Sequence, residues 1–176
     1  MKKLKDILTG IKFRLIAGSM EKDITNISLD SREIRNNGLF AAIPGTIADG
    51  HDFIDMAVSK GASVIVFQNR PGNLHENTTY IQVDDSAATM GIIASNFYNR
   101  PSENIKLIGI TGTNGKTTTV TLLYNLFTRL GYKTGMLSTI ENYIGNKKAE
   151  ATHTTPDPVR LNRLLAEMSE SGCEYC

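Results

Sequence analysis

The chain has 176 residues, of which 40% are hydrophobic and 21% are charged. This is enough apolar material for one domain or two small ones, and the composition excludes a disordered chain. The 19 basic and 18 acidic residues leave a formal net charge of +1, which offers no electrostatic reason to expect a nucleic-acid partner. Because no apolar run approaches the length needed to cross a bilayer, we expect a soluble, cytoplasmic protein without a membrane span.

Strand and helix patterns alternate through the first hundred residues. The β-prone or continuous apolar runs of strand length are residues 23–31, 38–43, 63–67 and 79–83. The spacing of apolar residues predicts helices over 53–62 and 85–98, the second capped by Asp84 or Asp85. Such alternation indicates a parallel α/β sheet. A cluster of breakers at 99–104 marks a domain boundary, which we place between residues 100 and 101.

Residues 101–176 begin a second α/β unit. The apolar run 106–111 predicts a buried strand, and residues 133–139 predict the next parallel strand. Asp157 and Pro158 predict the start of a helix that ends at Gly172. Another amphipathic helix is predicted over 117–130, with an apolar face formed by Val120, Leu123, Phe127 and Leu130. A sheet of so few strands is half built, so we expect a fragment of a longer protein.

The two cysteines, Cys173 and Cys176, have a CxxC spacing that could serve a zinc site or a redox pair. A structural zinc site needs four ligands, and His51, His75 and His153 provide no second pair at metal spacing. We therefore interpret the cysteines as ordinary core or edge residues.

The strongest local signal lies between the predicted strand at 106–111 and the helix that follows it. It is the stretch Gly112-Thr113-Asn114-Gly115-Lys116-Thr117-Thr118. In such a turn, backbone N–H groups converge on phosphate oxygens, and the helix N-terminus adds partial positive charge. Lys116 would pair with the β and γ phosphates of ATP, and the Thr117 hydroxyl would ligate Mg²⁺. The general P-loop has Gly where this chain has Ile110, and a βα turn with a solvated lysine is the alternative.

This loop, within GITGTNGKTTT, is similar to the ATP-binding loop of the Mur ligases, the ATP-dependent amino-acid ligases of peptidoglycan synthesis. The other segments resemble the MurE type of that family, UDP-N-acetylmuramoyl-tripeptide synthetase. These segments are LDSR at 29–32, GLFAA at 38–42, GTIADG at 45–50 and HTTPD at 153–157. The resemblance covers the chain from about residue 23 to its end.

The resemblance implies an α/β fold with two parts. Residues 1–100 would form an N-terminal UDP-substrate-binding domain, and residues 101–176 would begin the central P-loop, parallel-sheet ATP-binding domain. The implied reaction adds a diamino acid, meso-diaminopimelate or L-lysine, to UDP-MurNAc-L-Ala-D-Glu through an acyl phosphate, with ATP and Mg²⁺. We expect a monomer with no nucleic-acid partner. The remaining metal ligands and the amino-acid-selecting domain would lie beyond residue 176, so the fragment alone is expected to be inactive.

The resemblance also assigns site residues. Lys116 is catalytic and Thr117 is the metal ligand, and ATP is bound by Gly112, Thr113, Asn114, Gly115, Lys116, Thr117 and Thr118. The uridine diphosphate end of the substrate is assigned to Leu29, Ser31, Thr46, Ile47 and Ala48. The muramoyl part is assigned to His153, Thr154 and Thr155. Without the resemblance, residues 30–32 would be a turn with an ion pair, and the hydroxyls at 154 and 155 would cap a helix.

Two other functions remain open. A folylpolyglutamate-synthetase-like ligase has a related loop, TGTNGKGS, but would not need the segments at 30–32 and 47–50 that precede the loop here. A non-catalytic nucleotide-binding module of the GTPase kind should carry an N-K-x-D stretch after the loop, and none follows Thr117.

Overall fold

The structure is a computed structural model that describes residues 1–45, 48–149 and 156–176. The predicted site residues that lie outside the described residues are Thr46, Ile47, His153, Thr154 and Thr155. The chain divides into two compact units, Met1–Phe97 and Tyr98–Cys176. Within the described ranges, no helix has both the length and the apolar character required to span a bilayer.

The first unit is built on a five-stranded sheet in the spatial order β2, β7, β6, β5, β4. Its strands are β1 Lys2–Lys3, β2 Arg14–Ala17, β3 Asp23–Ile24, β4 Ile27–Ser28, β5 Gly38–Ala42, β6 Ala62–Phe67 and β7 Thr79–Gln82. Strands β4 to β7 pair in parallel, which confirms the predicted α/β sheet. Strand β2 adds an antiparallel edge on β7, and β1 pairs with β3 in a separate two-stranded sheet.

The helices of this unit are α1 Leu4–Ile7, α2 Ile54–Ser59 and α3 Ser86–Phe97, with 3-10 helices at Ser31–Glu33 and Gly50–Phe53. Helix α2 is shorter than predicted, because the chain turns at Gly61 with φ of +104°. Asp85 caps α3, since its side chain accepts a hydrogen bond from the Ala88 N–H at 2.9 Å. The helix predicted over 85–98 is therefore confirmed.

The core of the first unit lies around β5 and β6, which are buried along their whole length. Phe40, Ile65, Phe67 and Tyr80 are each at most 1% exposed. The Phe67 and Tyr80 rings meet edge to face, with centroids 6.3 Å apart. Burying such side chains contributes about 1.5–3 kcal/mol each. The continuous apolar runs of the sequence therefore correspond to strands covered on both faces.

In its described residues, the second unit contains two long helices and one antiparallel sheet. Its elements are the 3-10 helix Pro101–Glu103, α4 Lys116–Arg129, β8 Met136–Leu137, β9 Asn142–Ile144, β10 Lys147–Ala149 and α5 Pro158–Glu170. Both predicted helices are confirmed. The β9–β10 hairpin was not predicted, although the Gly145-Asn146 pair between its strands is a recognised hairpin signal.

The prediction of a buried strand over 106–111 is wrong. Residues 106–108 do pair with 174–176, and the N–H groups of Lys106 and Ile108 donate to carbonyls of that segment at 2.9 and 2.8 Å. However, Leu107 and Ile108 are 48% and 40% exposed. An apolar run is buried only where a layer covers each face. Here the run and the apolar side of α4 line a common cavity of about 280 Å³. Leu130, predicted on that side, is exposed.

The strand predicted over 133–139 is divided between two partners. The Lys133 carbonyl and the Gly135 N–H bond to residues 174 and 175 at 2.8 Å, in parallel pairing. Met136 and Leu137 then pair antiparallel with β9. The parallel pairing therefore involves residues 133–135, and the antiparallel pairing involves residues 136 and 137.

Helix α5 provides the core of the second unit. A cluster of buried residues joins the helix to the segments before and after it: Ile105, Leu165, Met168 and Cys173. Gly135 lies so close to Met168 that an added Cβ would come within 3 Å of two of its side-chain atoms. The helix begins at a cap, since Asp157 accepts hydrogen bonds from Val159 N–H at 2.8 Å and Arg160 N–H at 3.0 Å.

We expect Asp157→Ala to lower the free energy of unfolding of the second unit by about 1 kcal/mol, because two N–H groups of the first turn lose their acceptor. Urea unfolding followed by circular dichroism measures the change. Asp157→Asn is the matched control, since asparagine caps about as well as aspartate. An equal loss in both variants would assign the effect to charge and not to the cap.

Candidate functional site

A glycine-containing loop leads from the extended segment at 106–108 into α4. Gly112 has φ of +146° and Gly115 has φ of +79°, conformations that L side chains rarely adopt. A Cβ added at Gly115 would meet nothing within 4 Å, so glycine is needed there for the backbone angle and not for space. Gly115 is the N-cap of α4, and Lys116 is the first residue of the helix.

The Lys116 side chain folds back over this loop. Its Nζ donates to the Gly112 carbonyl oxygen and lies 3.4 Å from the Thr113 carbonyl oxygen. The N–H groups of the first helical turn have no acceptor within a helix, and they carry its partial positive charge. An ammonium group and these N–H groups therefore surround one loop that is exposed to solvent. This arrangement suits a phosphate chain.

The predicted ATP-binding residues, 112–118, all lie in this loop and in the first turn of α4. Thr117 is half-buried, and its neighbours in the loop are exposed. In the part of the chain that the structure describes, no group of three His, Cys, Asp or Glu side chains could hold a metal ion. The Thr117 hydroxyl fits Mg²⁺, which takes one or two protein ligands and completes its shell with phosphate oxygens and water.

Three predicted substrate residues of the first unit lie at one end of its sheet. Leu29 and Ser31 follow β4, and Ala48 lies in the loop after β5. Because β4 and β5 are parallel neighbours, their carboxyl ends meet at the same end of the sheet. Ligands of open α/β sheets bind at that end.

Ser31 is buried at this end of the sheet. It is 4% exposed, and its hydroxyl donates to the Met56 sulfur at 3.2 Å, a weak acceptor. Beside it, Arg32 Nη2 lies 2.6 Å from Asp30 Oδ2. The side-chain hydrogen bond from Arg32 holds the pKa of Asp30 below its usual range. The turn and ion pair expected from residues 30–32 are thus present, and they shape the backbone around Ser31.

The loop after β5 is closed at its base by Gly50. The Gly50 N–H donates to the Ile43 carbonyl at 2.9 Å. A Cβ added at Gly50 would lie 2.6 Å from the Ile43 nitrogen, so only glycine fits there. Gly45 is limited in the same way by the Ala48 carbonyl oxygen. Two glycines therefore allow this loop to fold back closely on its own backbone.

His51, to which the sequence analysis assigned no role, joins this loop to the end of β6. Its Nδ1 lies 2.5 Å from Asp49 Oδ1, and its Nε2 accepts from the N–H groups of Gln68 at 3.2 Å and Asn69 at 3.1 Å. These two acceptor bonds assign the ring proton to Nδ1. Hydrogen bonds from the His51 backbone and ring hold the pKa of Asp49 below its usual range. The Asp-Gly-His order gives only a weak signal of this contact.

Cys173 and Cys176 behave as the core residues that the sequence suggested. Cys173 is 4% exposed within the cluster around Met168, and Cys176 packs against the same cluster. Burial raises the pKa of the Cys173 thiol, and it raises the pKa of Cys176 to about 11. Neither thiol is arranged as a nucleophile, because the thiolate is the reactive form.

We expect both thiols to react slowly with iodoacetamide at pH 7.5. With a pKa of about 11, less than about a thousandth of Cys176 is thiolate at that pH. Mass spectrometry should show labelling at least about tenfold slower than in the urea-unfolded chain, which is the control. Native labelling as fast as that of the unfolded chain would contradict the burial of both thiols.

Two family models match the chain. One, described as Mur ligase family, catalytic domain, matches residues 23–98, and the other, Mur ligase middle domain, matches residues 110–176. Similar curated proteins carry the name UDP-N-acetylmuramoyl-L-alanyl-D-glutamate--2,6-diaminopimelate ligase. Those of Cytophaga hutchinsonii and Bacteroides fragilis are each 49% identical over 98% of this chain. The chain spans 36% of the length of each of these two relatives.

Solved structures agree with these matches. One is a structure of a UDP-N-acetylmuramoyl-L-alanyl-D-glutamate--2,6-diaminopimelate ligase. The match covers 99% of this chain and 34% of the solved chain, with a TM-score of 0.81 and 22% identity. It shows the shared fold. Another is a MurF ligase from Thermotoga maritima in complex with ADP. This match covers 80% of this chain and 28% of the solved chain, with a TM-score of 0.53 and 28% identity. The two family models, the relatives and the fold lead to one conclusion: the chain belongs to the Mur ligase family.

Proposed function

We propose that the protein containing this chain is a ligase of the MurE type that joins a diamino acid to the D-Glu residue of UDP-MurNAc-L-Ala-D-Glu, driven by ATP. This would be a cytoplasmic step of peptidoglycan precursor synthesis. The names of the relatives favour diaminopimelate as the amino acid. The observation that carries the proposal is the exposed loop at 112–118, with Lys116 at the first position of α4.

In the proposed reaction, the D-Glu side-chain carboxylate takes the γ-phosphoryl group to form an acyl phosphate. The amine of the diamino acid then displaces phosphate. The second unit would contribute positioning and charge neutralisation, which dominate phosphoryl transfer. The Lys116 ammonium would exchange the Gly112 and Thr113 carbonyls for phosphate oxygens, and the first-turn N–H groups of α4 would hold the same anion.

Magnesium, when bound, supplies neutralising charge between the phosphate oxygens. On this chain we assign the Thr117 hydroxyl to it, because Thr117 follows Lys116 in the first turn of α4. ATP as the nucleotide is supported by the MurF relative, whose structure holds ADP.

The first unit would bind the uridine diphosphate end of the substrate at the carboxyl ends of β4 and β5. Leu29 would offer apolar contact, Ser31 a hydroxyl, and the loop around Ala48 its backbone groups. The other proposed residues, which the structure does not describe, are Thr46 and Ile47 for the same end and His153, Thr154 and Thr155 for the muramoyl part. The uridine and ATP sites would then belong to separate units of the chain.

We expect Lys116→Ala in the whole protein to lower kcat/KM by at least about 100-fold, because the developing phosphate charge loses its ammonium partner. The free energy of unfolding should not change, since Lys116 is exposed and its hydrogen bonds to described residues are to its own loop. Coupled ADP-release kinetics measure the effect. The control is Lys147→Ala, which removes an exposed charge from β10. Turnover within about twofold of the unaltered enzyme would rule out the assignment of Lys116.

We expect Ser31→Ala to weaken binding of UDP-MurNAc-dipeptide about tenfold, because one hydrogen bond to the ligand is lost. The affinity for ADP should stay unchanged, and titration calorimetry with each ligand measures both. Ser59→Ala is the matched control: its hydroxyl also bonds Met56, at the carbonyl oxygen, but is exposed at the end of α2. An equal loss for both ligands would mean that Ser31 supports the fold and not the site.

A further inference from the structure

We infer that His51 is a positioning residue for the uridine end of the substrate. In this role it fixes residues 48–50, here called the β5 loop, against the end of β6. The inference rests on the proposed function, since it takes the β5 loop as part of the uridine site. It adds a residue that the resemblance did not assign and that does not itself touch the ligand.

The ring of His51 connects two segments that would otherwise be independent. On one side, Asp49 Oδ1 accepts from both the backbone N–H and the ring of His51, at 3.0 and 2.5 Å. On the other side, Nε2 accepts from two successive backbone N–H groups that follow β6. The His51 side chain is 11% exposed, so its ring is largely shielded from water, whereas its partners Asp49 and Asn69 lie nearer the surface.

The segment to which His51 binds is itself held in place. The Gln68 side-chain oxygen accepts from the Ser86 N–H at 3.4 Å, and the Gln82 amide donates to the Gln68 carbonyl at 3.3 Å. Gln82 ends β7 and Ser86 begins α3. The His51 ring therefore anchors the β5 loop to a network that continues to the end of β7 and the start of α3.

This anchoring should matter for binding because of conformational entropy. Ala48 is exposed and precedes the anchored Asp49 directly in the chain. With the loop held in advance, a ligand at this end of the sheet does not have to order it on binding. Without the ring, the bonds from the Gly50 N–H to Ile43 and from the His51 N–H to Asp49 remain, but the link to the end of β6 is lost, and the ligand must supply that order on binding.

The chain offers a matched control in its other described histidine. His75 Nε2 also lies close to a carboxylate, 2.6 Å from Asp55 Oδ1. That pair is open to solvent, with side chains 40% and 70% exposed. Loss of the His75 ring therefore removes a histidine–aspartate contact of the same kind and leaves the β5 loop unaltered.

The experiment compares His51→Asn, His51→Gln and His75→Asn with the unaltered 176-residue chain, by titration calorimetry with UDP alone as the probe and with ADP as the reference ligand. Asparagine keeps a donor near Asp49 but is too short to reach Gln68 and Asn69. Glutamine places an acceptor near the position of Nε2. Hydrogen exchange of the Gln68 and Asn69 amides, followed by NMR, reports the anchor without any ligand.

We expect His51→Asn to bind UDP about tenfold more weakly and His51→Gln to stay within about threefold of the unaltered chain. His75→Asn should match the unaltered chain, and ADP affinity should not change in any variant. Exchange at Gln68 and Asn69 should accelerate in His51→Asn alone.

Unchanged UDP affinity or unchanged amide exchange in His51→Asn would overturn the inference while leaving the proposed function intact. Equal losses in His51→Asn and His51→Gln, with a parallel loss of ADP affinity, would also overturn it, because they would indicate a general effect on folding. Failure of the unaltered chain to bind UDP would instead overturn the uridine site itself, and the inference with it.

Discussion

The parallel pairing of β5 with β6 is the constraint on which the first unit depends. Both strands are buried from end to end, so their polar backbone groups must pair with each other and with β4 and β7. Parallel pairing also brings the carboxyl ends of neighbouring strands together. The segments that follow β4 and β5 therefore lie at the same end of the sheet, and Ser31 and His51 lie in these segments.

Gly50 and His51 make different contributions to the conformation of the β5 loop at this end of the sheet. Gly50 lets the β5 loop close because no Cβ stands between it and Ile43. His51 then accepts from the N–H groups of Gln68 and Asn69, which follow β6. A hydrogen bond of this kind contributes about 0.5–1.5 kcal/mol, so the ring stabilises the fold while it orients the loop.

In the second unit, Lys116 lies in an exposed loop and not in the core. The loop at 112–118 is exposed, and among the described residues Lys116 bonds to carbonyls of that loop, which a phosphate could replace without disturbing the core. The core itself lies elsewhere, around Met168 of α5. The apolar side of α4 lines the cavity, and none of the residues of this helix is buried.

Local chemistry along the sequence determined which segments form helices and tight turns. Asp85 and Asp157 cap α3 and α5 because the acceptor and the N–H groups are neighbours in the chain, and Gly115 permits its own backbone angle. The motif at 112–118 was also found from the sequence, because its residues are contiguous. Tertiary structure decided the burial of 106–111, the division of 133–139 between two partners, and the contacts of His51. Each of these depends on residues distant in sequence, such as Gln68, which lies 17 positions from His51. The hydrogen bonds and the burial of a segment depend on which distant residues the fold places next to it. The local sequence pattern does not contain that information.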